Sequence, residues 1–411
     1  MRGTRADRAS SRRPLTLPSV LVLGLVAFMA ARPPWWSFNY AALLALLALA
    51  LTGRAPRLRL PDVLALATGA WALSSPLWTG HPELAFAGGY RYATVCLLFV
   101  VCRHVVRRRR DLILLGWTFL AGCVVVAVEV VTGARGDLRQ LGQLVDVATR
   151  YGIEGREINA TAYTLAVGVV VAVLLAAAHR RPLLRACPPL LAVPVVWGML
   201  LTGSRGAAIG VLLGVVVLAL AWLLPRATAA GLGGIAALLI VIVPFGIAPE
   251  RTLLWLDQLY GRPTGDISGR LGLWPYALST WSEAPLTGSG PGVFIGTNPF
   301  GIGPHNLLLI LGNDLGLVGA LLYLGTVAAG CWTAARTSRA GIVVMCLFTA
   351  VLLPIWLTGQ WEAALAMWLA LALVTVLPEL PAPPGPAHRA RPGALSWRAG
   401  RSSRRLARIA R

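Results

Sequence analysis

Three short segments carry residue types that could handle a negatively charged substrate. The first, Thr202-Gly203-Ser204-Arg205-Gly206, holds one cation among small residues. An arginine set at a helix start by flanking glycines can meet a phosphate at headgroup depth. For Arg205 alone, an arginine that snorkels to lipid phosphate is the commoner situation. The second segment is Gly269-Arg270-Leu271-Gly272-Leu273-Trp274, followed by Pro285-Leu286-Thr287-Gly288-Ser289-Gly290-Pro291-Gly292-Val293-Phe294. Arg270 and Trp274 are four apart, so on a helix they share a face, with the indole anchoring at the interface. The glycines let backbone N–H groups approach an anion, and equally suit a loop that only needs tight bends. The third is Pro304-His305-Asn306, just before the apolar run Leu307 to Leu311 and the segment Asn313-Asp314-Leu315-Gly316-Leu317-Val318-Gly319. An imidazole at a helix entrance near phosphate-binding arginines is suited to act as a general base near neutral pH. A capping or interfacial histidine is the plainer account of His305 by itself.

The elements that must position these residues are membrane helices. The 411 residues are 57% hydrophobic and only 13% charged, far too apolar for a soluble globular chain of that length. Apolar runs recur without strand-like alternation, each about long enough to cross a hydrocarbon core as a helix. The expectation is an all-α integral membrane protein of about twelve spans: 17–31, 37–52, 61–78, 87–105, 112–132, 159–178, 186–202, 207–224, 227–248, 306–334, 340–357 and 362–378. All six cysteines fall in or at the ends of apolar segments, so neither a disulfide framework nor a cysteine metal site is expected.

A net charge of +21 raises nucleic acid as a partner, but there is no lysine, and the arginines gather in short clusters between apolar runs. That pattern reports topology. The clusters occupy the N-terminal tail, Arg54/Arg57/Arg59, Arg103 with Arg107 to Arg110, Arg180/Arg181/Arg185, Arg226, Arg336/Arg339 and the tail from Arg389. They mark every second connection as cytoplasmic, together with both termini, and leave 133–158 and 249–305 as long outer connections. Ser11-Arg12-Arg13, a short apolar run and Ala30-Ala31 also fit a cleaved export signal. The expected division is a cytoplasmic tail over 1–16, a polytopic membrane domain over 17–378, and a disordered basic cytoplasmic tail over 379–411. On this topology His104, His179 and His388 lie inside beside arginines, and His81 lies in a short outer loop.

The outer-face segments thus hold the chemistry. No Asp-x-Asp pair, P-loop or metal-type cluster is present, so neither a metal nor another cofactor is expected. A reaction at the outer face cannot draw on ATP, and its donor must arrive activated; a sugar on a polyprenyl pyrophosphate meets that need. Arginines would then hold the pyrophosphate leaving group.

Taken together, the small-residue turn TGSRG, R-x-x-x-W, P-x-x-G-x-G-x-G-x-F, HN and G-x-x-G resemble, in order, the O-antigen ligase and polymerase family of bacterial envelope proteins. The matching positions are Arg205, Arg270, Trp274, Pro285, Gly288, Gly290, Gly292, Phe294, His305, Asn306, Gly316 and Gly319. The resemblance runs from about Trp71 to Trp361, with its specific part over 201–319, and Asn313-Asp314 stands where relatives often carry a Glu. It implies a metal-independent, inverting glycosyltransferase that moves a glycan from a polyprenyl-pyrophosphate carrier to a hydroxyl of a glycan, lipid or protein acceptor. Arg205 and Arg270 would neutralise the pyrophosphate and His305 would take the acceptor proton, while Trp274, Gly290 and Asn306 would contact substrate. Ligase and repeat-unit polymerase share this donor and these residues. A small-solute transporter is the reading from another class, opposed by the scarcity of ionisable groups at mid-membrane depth, since Glu129 and Asp314 lie towards the outer ends of their spans.

Overall fold

The computed structural model describes residues 17–31, 37–53, 55–133, 151–153, 157–179, 181–223, 270–337, 339–359 and 361–376. The tails 1–16 and 379–411, the expected span 227–248, Arg226 and most of 133–158 and 249–269 lie outside these residues. The side chains of Arg270, Leu271 and Gly272 lie outside them too.

Every regular element among the described residues is helical. In chain order these are α1 (Leu17–Ala31), α2 (Ser37–Ala50), α3 (Leu60–Ser74), α4 (Pro82–Val105), α5 (Arg109–Val131), α6 (Ile158–Ala178), α7 (Pro182–Leu201) and α8 (Arg205–Leu223). After the gap come α9 (Arg270–Glu283), the short α10 (Val293–Thr297), α11 (Leu307–Thr337), α12 (Arg339–Thr358) and α13 (Leu365–Val376). Eleven of these helices fall on expected spans. Among the described residues five stretches, Pro82–Val105, Arg109–Val131, Ile158–Ala178, Pro182–Leu201 and Leu307–Arg336, are long and apolar enough to cross a membrane, and the apolar stretches Pro18–Ala31, Tyr40–Ala50, Arg205–Leu218, Val343–Leu357 and Leu365–Val376 are shorter.

Local chemistry sets where they start. Pro61 takes the first turn of α3, where its missing N–H costs nothing, and the Asp62 carboxylate accepts the Arg59 N–H at 2.8 Å. Asp111 does the same for α5, accepting the Arg108 N–H at 3.1 Å. Glu157 caps α6 by accepting from Asn159 and Ala160 N–H at 3.2 and 2.6 Å. Large apolar side chains such as Leu43, Leu190, Leu212 and Leu321 stay exposed, as expected of helices whose outer solvent is lipid. Small residues bring the helices together: a Cβ on Gly69 would lie 3.1 Å from the Ala93 Cα, and one on Gly210 would lie 2.6 Å from the Val351 carbonyl oxygen.

One end of the bundle gathers the arginine-rich connections. Arg103, near the end of α4, is buried and paired with buried Asp62 of α3 at 2.7 Å. The His104 ring nitrogens lie 2.7 and 3.0 Å from the Val100 and Arg57 carbonyl oxygens, and Arg109 donates to the Ala178 carbonyl at 3.1 Å. Arg103 and His104, read from sequence as charges of a loop, are parts of the packed helix ends. The six cysteines are free thiols.

Candidate functional site at the opposite end

The opposite end of the bundle is organised around a break in α11. Gly316 adopts φ 63° and ψ −171°, which interrupts the helix and frees backbone groups on both sides. The Pro285 to Gly292 run takes them up. Leu317 and Val318 N–H donate to the Pro285 and Leu286 carbonyls at 2.9 and 3.2 Å, while Ser289 N–H and Oγ donate to the Asn313 carbonyl at 2.7 and 3.0 Å. Trp71 of α3 donates its indole N–H to the Leu315 carbonyl at 2.9 Å. A Cβ on Gly316 would collide with the backbone of Leu286 and Gly288, so the position has room for glycine alone. Asp314 locks the same junction: one oxygen accepts the Tyr92 hydroxyl of α4 and the other the Gly292 N–H, each at 3.2 Å. Gly290, at φ 108°, presses against α4, where a Cβ would come within 2.9 Å of the Ala85 Cβ.

Next to this junction sits the corner that presents His305. Leu273, Ala277, Phe294 and Leu309 form a small buried cluster that joins α9, α10 and the start of α11, with Trp274, Ile295 and Ile302 packed on it. The Trp274 indole donates to the Pro304 carbonyl at 2.9 Å, and so pins the residue before His305. Asn298 holds the approach, donating to the Phe294 and Ile302 carbonyls at 2.6 and 2.9 Å. His305 has φ 50°, the one non-glycine residue with positive φ among those described. That backbone is strained for a side chain of this size and persists only where its neighbours over-determine it. Asn306 follows as the cap of α11. Arg270 opens α9 one turn before Trp274.

Arg205 lies on another pair of helices. Thr202 Oγ1 donates to the Met199 carbonyl at 2.6 Å and accepts the Ser204 N–H at 3.3 Å; with Gly203 at φ 62° this makes the tight turn from α7 into α8. Arg205 is the first residue of α8 and half-buried. Gly210, a turn and a half further on, packs on the Val351 carbonyl, which sets Arg205 level with the last turns of α12. Beyond α12, Trp361 meets Tyr163 of α6 edge-on with ring centroids 5.8 Å apart.

Sequence reasoning missed a group that the tertiary fold assembles around the start of α13. The Glu362 carbonyl accepts from the Tyr323 hydroxyl at 3.1 Å and the Trp368 indole at 2.7 Å, which fixes its backbone. Its carboxylate lies within electrostatic reach of Asp314, Tyr92, Tyr323 and Arg91. Asp314 and Glu362, far apart in the chain, therefore belong to one cluster with two tyrosines. The available signal was that Glu362 is the lone acidic residue between Asp314 and Glu379, at the lip of an apolar run.

Residues 189–324 match the family model described as O-Antigen ligase. The matched stretch includes Arg205, the helix bearing Trp274, the His305 corner and the Gly316 break. It supports a role in membrane glycan transfer at the level of the family. No curated protein matches the chain.

Proposed function

We propose, from the match of residues 189–324 to the O-antigen ligase family model, that this protein transfers a glycan from a polyprenyl-pyrophosphate carrier to an acceptor hydroxyl at the extracytoplasmic face of the plasma or inner membrane. In this reading twelve helices span the bilayer, both termini are cytoplasmic, and the Arg103/Asp62 end of the bundle faces the cytoplasm. The loop over 249–305 lies outside. The observation that carries the reading is His305, held at a strained φ of 50° between the Trp274-pinned Pro304 and the cap of α11.

Each residue has one task. Arg205 and Arg270 neutralise the pyrophosphate, and their fork geometry suits bidentate contact with phosphate oxygens. His305 removes the proton of the acceptor hydroxyl as that oxygen attacks the anomeric carbon. The new carbon–oxygen bond forms as the bond to the phosphate oxygen breaks; polyprenyl pyrophosphate leaves with the electron pair, and the configuration inverts. Trp274 holds the loop that carries His305, and Gly290 and Asn306 border the substrate. No step in this scheme needs a metal ion.

The same chemistry serves a repeat-unit polymerase, in which the acceptor is the next lipid-linked unit. The test is the envelope glycan profile of a deletion strain complemented by wild type or by His305→Ala. Long chains retained on the carrier mean ligase, single unpolymerised units mean polymerase, and an unchanged profile overturns both in favour of a solute carrier.

A further inference from the structure

Asn306 divides its side chain between two tasks. Its Oδ1 accepts the backbone N–H groups of Leu308 and Leu309 at 3.0 and 3.2 Å, which caps α11. Two donors converge on that atom, so it is the oxygen, and Nδ2 must point elsewhere. Nδ2 has no hydrogen-bond partner among the described residues, although Asn306 is only 1% exposed. A buried amide donor left unmade is costly, and capping does not require one, since Ser, Thr or Asp caps as well. The spare donor therefore stands at the N-terminus of the helical stretch that runs from Leu307 to the break at Gly316, where backbone partial positive charge gathers, and directly beside His305.

We infer that Asn306 Nδ2 donates to a phosphate oxygen of the pyrophosphate on the lipid-linked donor. This rests on the proposed donor and sharpens it to one atom. An acceptor hydroxyl is the poorer match, because the oxygen that loses its proton to His305 needs its lone pair for attack. A phosphate oxygen gathers charge as the anomeric bond breaks, and a fixed donor aimed at it strengthens as the reaction proceeds. In this reading the leaving group is met by arginines of α8 and α9 and by a neutral amide of α11.

Substitutions that keep the cap separate this role from a structural one. Asn306→Asp keeps the capping oxygen and puts negative charge where the phosphate would lie; Asn306→Ser caps without charge, and Asn306→Ala removes cap and donor together. Binding is measured on the full-length protein in nanodiscs, with polyprenyl pyrophosphate as the probe and phosphatidylglycerol as the lipid-phosphate control. Asn306→Ser is expected to bind the probe about tenfold or more weaker than wild type at unchanged Tm, and Asn306→Asp to bind it at least as weakly. Asn306→Ala is expected to lose binding and also to melt lower. In transfer assays the donor KM rises and the acceptor KM does not. Wild-type binding by Asn306→Ser overturns the inference, as does a change in acceptor KM alone, and either leaves the proposed donor standing. If the wild-type protein binds polyprenyl pyrophosphate no better than phosphatidylglycerol, the donor reading fails and this inference fails with it.

Discussion

At the scale of the residue, type and position alone do not separate a working side chain from a supporting one. Trp274 illustrates this: spaced from Arg270 as an interfacial anchor, it spends its indole N–H on the Pro304 carbonyl and so holds the loop that presents His305. Removing a general base costs about two to four orders of magnitude in rate, so His305→Ala should lose at least a hundredfold in glycan transfer. Arg270→Ala should abolish transfer. Both proteins should insert and accumulate as wild type does, and wild-type transfer by either would sink the mechanism. Arg103 differs in kind, being buried in a pair with Asp62. Its replacement by Ala strands a carboxylate and should cost about 3–5 kcal/mol, read as an early melt in detergent. Of the proposed site residues, Arg205 and His305 stand out in the sequence because a cation or an imidazole is conspicuous at the edge of an apolar run. Glu362 does not, because its partners Asp314, Tyr92 and Tyr323 come from two other helices.

At the scale of the element, the Gly316 break does the organising. A continuous α11 would satisfy its own backbone and leave the Pro285 to Gly292 run without its partners at Asn313, Leu317 and Val318. With the break, that run is stitched to α11, and Asp314 ties it to α4 through Tyr92. Gly316→Ala should therefore be severe twice over, since φ 63° disfavours a Cβ and the Leu286 backbone occupies its space. A loss of about 3 kcal/mol or more and of transfer together is expected, measured by melting and by glycan assay. Trp71→Phe removes one hydrogen bond to the Leu315 carbonyl and should be milder, about 1–3 kcal/mol. The sequence showed that this segment holds two glycines, three apart. That Gly316 breaks the helix and Gly319 packs beside Trp71 follows from the neighbours each meets.

At the scale of the whole molecule, topology is the open prediction. With His81 in an outer connection and Arg181 in an inner one, a single cysteine at His81 should react with a membrane-impermeant maleimide in intact cells. A cysteine at Arg181 should react only after permeabilisation, and the reverse pattern would invert the proposed orientation. The native cysteines, four of them buried, should contribute little background. Composition and the spacing of apolar runs were enough by themselves to determine that the chain is helical and built for lipid, because an unpaired backbone cannot persist in hydrocarbon. The ordered motifs likewise single out Arg205, Arg270 and His305 in the sequence. Only the tertiary structure decided that Asp314 and Glu362 share a cluster, that the Gly-rich run closes the break in α11, and that Asn306 keeps a spare donor. Those facts depend on which backbone groups are already satisfied, and that is settled between segments up to 244 residues apart, such as Trp71 and Leu315.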